Sequence, residues 1–128
     1  SHHPGKADKT LWAKDSVQVG IAGDGRHTEV GMTEANGGYG YCWISPDPTI
    51  NGKPVKSPMK ATRANGKTIY EMYLPFDMLG ITYKPNKVIR MTFLVNEDDG
   101  RNRVRIMKWF DGIAAGKNLN KFGYLRLE

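Results

Sequence analysis

The chain has 128 residues, enough for one domain, and its 39% hydrophobic and 25% charged residues exclude both a membrane span and a wholly disordered chain. No apolar run approaches the roughly 20 residues a helix needs to cross a bilayer, and 15 Gly with 7 Pro suit a turn-rich β protein better than a helical bundle. Nineteen Lys and Arg against 13 Asp and Glu leave a charge of +6, which admits anionic partners, but the cations are scattered without a basic block, so no nucleic-acid partner is expected.

Residues 1–10 read as a flexible, polar N-terminal segment and residues 11–128 as the folded domain. From there apolar and polar residues alternate between turn signals, the signature of strands. Over Asp15 to Ala22, Val17, Val19 and Ile21 share one face while Ser16 and Gln18 share the other, before Gly23-Asp24-Gly25 turns the chain. Residues 28–34 repeat the pattern through Val30 and Met32. Residues 39–45 set Tyr39, Tyr41 and Trp43 opposite Cys42 and Ile44, and residues 46–56, rich in Pro, Asn, Gly and Lys, read as a long loop. Strands over 57–64 and 69–74 flank Asn65-Gly66, a strong hairpin signal. Pro75 to Gly80 predicts one short helical turn closed by glycine. Val88 to Val95, with Ile89, Met91, Phe93 and Val95 in phase, predicts a central strand. Asp98-Asp99-Gly100 turns it into a strand over 102–109, and the last strand covers 122–127. About seven or eight short strands at this spacing indicate an all-β fold, an antiparallel β-sandwich of jelly-roll type with at most one helical turn.

Enzyme motifs are missing: there is no G-x-S-x-G elbow, no phosphate loop, no H-E-x-x-H and no Cys-His pairing. A non-catalytic domain is therefore expected. Cys42 is the single cysteine, which leaves no internal disulfide and no zinc spacing; in phase with Ile44, it reads as a buried structural thiol. Glu97-Asp98-Asp99 suit a cation site or catalytic carboxylates, but an Asp-Gly hairpin turn explains them without a ligand.

The aromatic residues carry more information. In 102–109, Val104 and Ile106 take one face and Arg103, Arg105, Met107 and Trp109 the other, so Trp109 lies out of phase with the core. Trp12 precedes its strand beside Leu11, Gln18 is on the non-core face of that strand, and Tyr41 stands on the corresponding face nearby. Sugars stack their C–H faces on aromatic rings while planar polar side chains bind their hydroxyls, in a concave site. Trp, Tyr, Gln, Arg and Asn on one face supply that chemistry. The competing reading is that the two tryptophans simply cover the ends of a sandwich.

The stretch Leu11-Trp12-Ala13-Lys14-Asp15-Ser16-Val17-Gln18-Val19 resembles the W-x-x-D-S-V-E strand of family 9 carbohydrate-binding modules and their DOMON-like relatives. Three further matches follow in the family's order. Tyr70-Glu71-Met72-Tyr73-Leu74-Pro75-Phe76 is similar to its Y-E-x-x-I-P-W strand and turn. Leu94-Val95-Asn96-Glu97-Asp98-Asp99-Gly100 is similar to its V-N-D-x-D-G hairpin. Trp109 through Gly116-Lys117-Asn118 to Phe122-Gly123-Tyr124-Leu125-Arg126-Leu127 is similar to its closing W…K-x-P-x-x-F-G-x-L-x-L segment.

This resemblance implies a β-sandwich that binds polysaccharide or oligosaccharide, often at chain ends, in a secreted or cell-surface bacterial protein with other, polysaccharide-degrading domains. It implies that Trp12 and Trp109 clamp a terminal sugar. Gln18 would stand where the family often has glutamate, and an amide lacks a carboxylate's charge-assisted bonds, so weaker or different glycan binding is expected. Tyr41 falls near a family arginine that Arg103 and Arg105 would replace from a different strand, and Asn96 matches the family's asparagine. No cofactor is required, but calcium is common in the family as a structural ion, with Asp15, Asp98 and Asp99 as its candidates here. The family's matching strand follows at least two earlier strands and a calcium-associated loop, whereas ten residues precede Leu11 here. The expectation is thus a domain lacking the family's first strands, its sandwich completed by another segment or chain. Two alternatives stand beside it: an interaction or spacer domain without ligand, and a haem-binding, DOMON-type electron-transfer domain using Met and His ligands. For the latter, His27 and six Met are present, most of the Met in core phase.

Overall fold

The computed structural model describes residues 4–6, 8–55, 59–101, 103–114 and 116–128, with Asn36, Arg103 and Val104 as backbone only. The strands are β1 (Ser16–Gly23), β2 (Arg26–Thr33), β3 (Tyr39–Ile44), β4 (Lys53–Val55), β5 (Met59–Ala64), β6 (Lys67–Met72), β7 (Val88–Asp98), β8 (Arg103–Lys108) and β9 (Gly123–Arg126), with one short helix, α1 (Phe76–Leu79). Turn chemistry in the sequence marks the hairpins of the fold. Asp24-Gly25 and Asn65-Gly66 both adopt left-handed backbone, which is the geometry of two-residue hairpins whose twist matches that of the strands. Gly80 closes α1 with a left-handed cap that donates to the carbonyls of Asp77 and Phe76.

The strands pair antiparallel into a seven-stranded sheet of order β4-β3-β2-β1-β7-β8, in which β9 also pairs with β7; β5 and β6 form a separate two-stranded sheet. The fold is all-β and sandwich-like. β7 is the hub, with β1 along one side and β8 and β9 end to end along the other. The 46–56 segment, expected as loop, contributes β4, which pairs its three residues with Gly40 to Cys42. Pro54 is tolerated there because β4 is an edge strand, where one missing N–H breaks no ladder.

Strand alternation divides the large sheet into two faces. One carries Ser16, Gln18 and Gly20 of β1, Glu29 and Gly31 of β2, and Thr92, Leu94 and Asn96 of β7. It is covered by two irregular segments. The N-terminal one seats the fully buried Leu11 over Gly31, and Thr33 Oγ1 donates to the Gly5 carbonyl. The other spans 110–122 and packs Ile113 and Phe122 against Ala22 and Leu94, while the Thr92 hydroxyl donates to the Phe110 carbonyl and accepts from its N–H. The opposite face carries Val17, Val19 and Ile21 with Ile89, Met91, Phe93 and Val95. Leu79 and Ile81 cover Ile21 and Ile89 at one end, and the β5–β6 hairpin lays Met59 over Gly40 at one edge.

The expected orientation of Gln18 therefore needs correction. Its face is the more thoroughly buried one, because segments 4–13 and 110–122 fold over it; strand periodicity shows only that Gln18 and Val19 point apart. Cys42 is fully buried, and desolvation pushes its thiol up to about 11, so it remains a protonated packing group. No helix among the described residues is long and apolar enough to cross a membrane.

Gly20 is where the Phe122 ring meets the sheet, and a Cβ there would lie 2.6 Å from Phe122 Cζ. Gly20→Ala is expected to destabilise the fold by about 1–3 kcal/mol through overpacking. Gly25→Ala, with left-handed backbone and open space around it, loses about 1 kcal/mol from the turn alone. Urea denaturation of both variants tests this; a smaller loss at Gly20 than at Gly25 means that Phe122 is not clamped on β1.

Candidate functional site

The polar residues expected to meet sugar hydroxyls lie inside the molecule. Asn96 Nδ2 donates to Gln18 Oε1 at 2.9 Å and to Ser16 Oγ at 3.1 Å, and Gln18 Nε2 donates to Glu29 Oε1 at 3.4 Å. Gln18 is 4% and Asn96 1% exposed. The amide at position 18 both accepts from Asn96 and donates to Glu29, which a carboxylate could not do. Lys117 reaches in from the 110–122 segment and pairs its ammonium with the same Glu29 oxygen, while Glu29 Oε2 has no partner. Burial raises the Glu29 carboxyl above its ordinary range, and the bonds from Lys117 and Gln18 pull it partly back.

The remaining expected residues are dispersed. Tyr41, on β3, donates its hydroxyl to the Gly52 carbonyl at 2.9 Å and sets its ring edge-on to Trp43; β2, β1 and β7 separate it from β8. Trp12 is exposed on the 3-10 turn Leu11–Ala13, whose Leu11 packs on the Gln18 face. Trp109, just past β8, donates its backbone N–H to the Phe93 carbonyl and stacks its ring on Phe93 on the opposite, Val19 face. A clamp requires the two indoles to face each other across one sugar; the segments that carry them sit on different faces of the sheet. The side chain of Arg103 lies outside the described residues.

The acidic turn has its own internal partners. Asp98, with its side chain fully buried, accepts from Lys14 Nζ at 2.9 Å; Asp15 Oδ1 accepts from the Asp98 N–H, and Asp99 Oδ1 from the Arg101 N–H. A calcium ion takes six to eight oxygen ligands. Here a lysine ammonium stands at one Asp98 carboxylate oxygen while the other, Oδ1, is buried without a partner, and among the described residues no group of three His, Cys, Asp or Glu side chains is placed to hold a metal ion. Among the residues named for haem, His27 and three of the methionines lie apart. His27 lies on the Gln18 face with its ring edge-on to Phe122, held below its ordinary value by burial and then by Lys117, whereas Met32, Met78 and Met91 fill the core behind the other face.

What the fold does bring together is a groove on the Val19 face, between the β5–β6 hairpin and the outer strands of the large sheet. Its floor is Val95 and Met107; Tyr70 and Arg63 form the hairpin wall, and Arg105 with Glu97 forms the outer rim. Arg105 Nε lies 3.4 Å from Glu97 Oε2, with both side chains exposed. The same rows continue along β7 and β8 to Phe93 and Trp109, which stack at 5.8 Å with an interplanar angle of 21°. Burial pushes the Tyr70 phenol up to about 12, so it stays neutral. Of the expected residues, Arg105, Asn96 and Asp15 line the groove and Trp109 lies on the row that extends it. Phe93, Met107 and Tyr70 were not marked by the sequence: Phe93 is in phase with the core, and only the extent of cover separates it from Met91. Comparison of the chain with protein-family models, with curated proteins and with solved structures finds no match.

The buried Glu29 makes stability depend on pH in a defined direction. A carboxyl raised above its unfolded value, ordinarily 4.5, holds its proton more tightly when folded. Its contribution is complete below that value and lost as pH rises through the raised one. The stability of the native protein minus that of Glu29→Gln should therefore fall as pH rises above the ordinary value of 4.5 in urea titrations. Lys117→Met, which strands the buried charge, is expected to cost about 2 kcal/mol near neutrality and less in acid; a pH-independent loss would show that Glu29 is not the group responsible.

Proposed function

We propose that this chain is a non-catalytic carbohydrate-binding domain that receives a glycan in the Val19-face groove. The observation that carries this reading is the Phe93–Trp109 pair: two nearly parallel rings, 40% and 47% exposed, on β7 and just past the end of its partner β8, beside a concave surface. Large aromatic faces left open to water beside charged rims are the surface on which sugar C–H faces stack. The backbone ladder of β7 and β8 fixes the platform before any ligand arrives, which lowers the ordering cost of binding. Arg105 and Glu97, paired with each other only at the exposed rim, exchange that contact for hydroxyls of the bound sugar, and the resulting bonds are charge-assisted.

The four motifs in register with family 9 modules support the same reading, including attachment to a secreted or cell-surface polysaccharide-degrading protein. The residues that carry binding differ from the clamp the motifs imply. Trp109 and Arg105 remain, Phe93 replaces Trp12 as the second ring, and Gln18 and Asn96 serve the fold.

A glycan array followed by calorimetry on the best binder tests this. Trp109→Ala and Phe93→Ala are each expected to weaken binding about tenfold or more, with Trp12→Ala unchanged. Native-like affinity in Trp109→Ala, or loss in Trp12→Ala alone, moves the site away from the groove, and a blank array overturns the reading.

A further inference from the structure

The β5–β6 hairpin has one edge against the sheet and one free. β5 lies against β3 and the Ala35–Gly37 turn, which leaves β6 on the inner side, with Thr68 and Tyr70 beside the groove floor of Val95 and Met107. Ala64 and Lys67 flank the two-residue turn as a hydrogen-bonded pair, so Lys67, Ile69 and Glu71 direct their backbone groups to β5. Thr68, Tyr70 and Met72 turn theirs the other way, over the groove. Among the described residues no backbone group bonds to them there. We propose that this edge takes an extended peptide strand, added antiparallel to β6, with an acidic residue across from Lys67 and a basic one across from Glu71.

On the open part of the Val19 face, Val17, Val19 and Val95 are only half-buried and Met107 is exposed. The second layer stops short of them, at β6. A third strand beside β6 lies over this row, and its alternate side chains close on Val95 and Met107. Its remaining side chains point outward beside Lys67, Ile69 and Glu71. Ile69 is 60% exposed, and among the described residues neither Lys67 nor Glu71 forms an ion pair. Opposite charges directly across a strand pair stabilise it and like charges do the reverse, so the outward row of the partner reads acid, apolar, base.

The order Lys67, Ile69, Glu71 is its own antiparallel complement, yet a folded second copy does not fit. Pairing two β6 edges in one plane puts both large sheets on the same side. The copy's sheet would then enter the space that β7 and β8 hold beneath the groove. The occupant is therefore a segment without a layer of its own beneath it. It covers Val95 and Met107 and so excludes a glycan from the floor. The strand site rests on the β6 edge and stands whether or not the groove takes a sugar.

The test is an NMR titration of the whole chain with a capped peptide, Ser-Lys-Val-Ile-Val-Glu-Ser, whose Lys meets Glu71 and whose Glu meets Lys67 when antiparallel. Saturable shifts are expected at the Thr68 and Tyr70 amides and at Val95 and Met107. The peptide with Lys and Glu exchanged should bind about fivefold weaker or more. In the double variant Lys67→Glu with Glu71→Lys, the preference between the two peptides should invert; both side chains are exposed, so the fold is retained. Methylating the nitrogen of the first Val, across from Tyr70, should abolish binding, because it removes a ladder bond and crowds the edge. No saturable shift, equal affinity for the two peptides, no inversion in the double variant, or undiminished binding of the methylated peptide each overturns the proposal.

Discussion

Glu29 is a carboxylate in the middle of a sheet, on a face that folding closes, and a buried charge of that kind is tolerated only with a partner. Lys117 provides it, its ammonium pairing with Glu29 Oε1. That pairing ties the 110–122 segment to the sheet together with the Thr92–Phe110 bonds and the packing of Phe122 over Gly20 and Ile113 beside Leu94. The other polar groups on the same face are satisfied laterally: Asn96 on β7 bridges to Ser16 and Gln18 on β1, and Gln18 passes the chain on to Glu29 on β2. A row of hydrogen bonds thus crosses three strands beneath the cover. Once it is closed, the part of that face beneath Leu11, Ile113 and Phe122 is core.

The functional consequence falls on the opposite face. Helix α1 and Ile81 cover one end of it, and the β5–β6 hairpin covers one edge. Between them and the outer strand the sheet stays open, so the rows that end in Phe93 and Trp109 meet water although their alternation is that of a core. Exposed apolar surface on strands held by a full ladder is where a binding platform is expected. The sheet contributes rigidity there, and the charged pair at the rim contributes polarity.

Much of this architecture was legible in the sequence because it is local. Asp24-Gly25 and Asn65-Gly66 dictate their own turn geometry, Pro75 to Gly80 carries its own helix stop, and the alternation through Val88–Val95 marks the strand that became the hub. β4 was hidden because its three residues have no strand pattern of their own and acquire one only from the exposed edge of β3. Gln18 was legible as pointing away from Val19, but which of the two directions would be covered was not. The same ambiguity hid Phe93, whose phase matches Met91 while its surroundings do not.

Period-two alternation and turn chemistry, read from this chain alone, determined an all-β, antiparallel, sandwich-like fold, the hairpins and the buried thiol of Cys42, because each depends on neighbours within a few residues. Tertiary structure alone decided which face was sealed, that Gln18 and Asn96 bond to each other rather than to solvent, and that Trp109 stacks on Phe93 with Trp12 held elsewhere. Those outcomes depend on segments far apart in sequence, Lys117 with Glu29 and Leu11 with Gly31, whose closing of long loops leaves no local pattern to read.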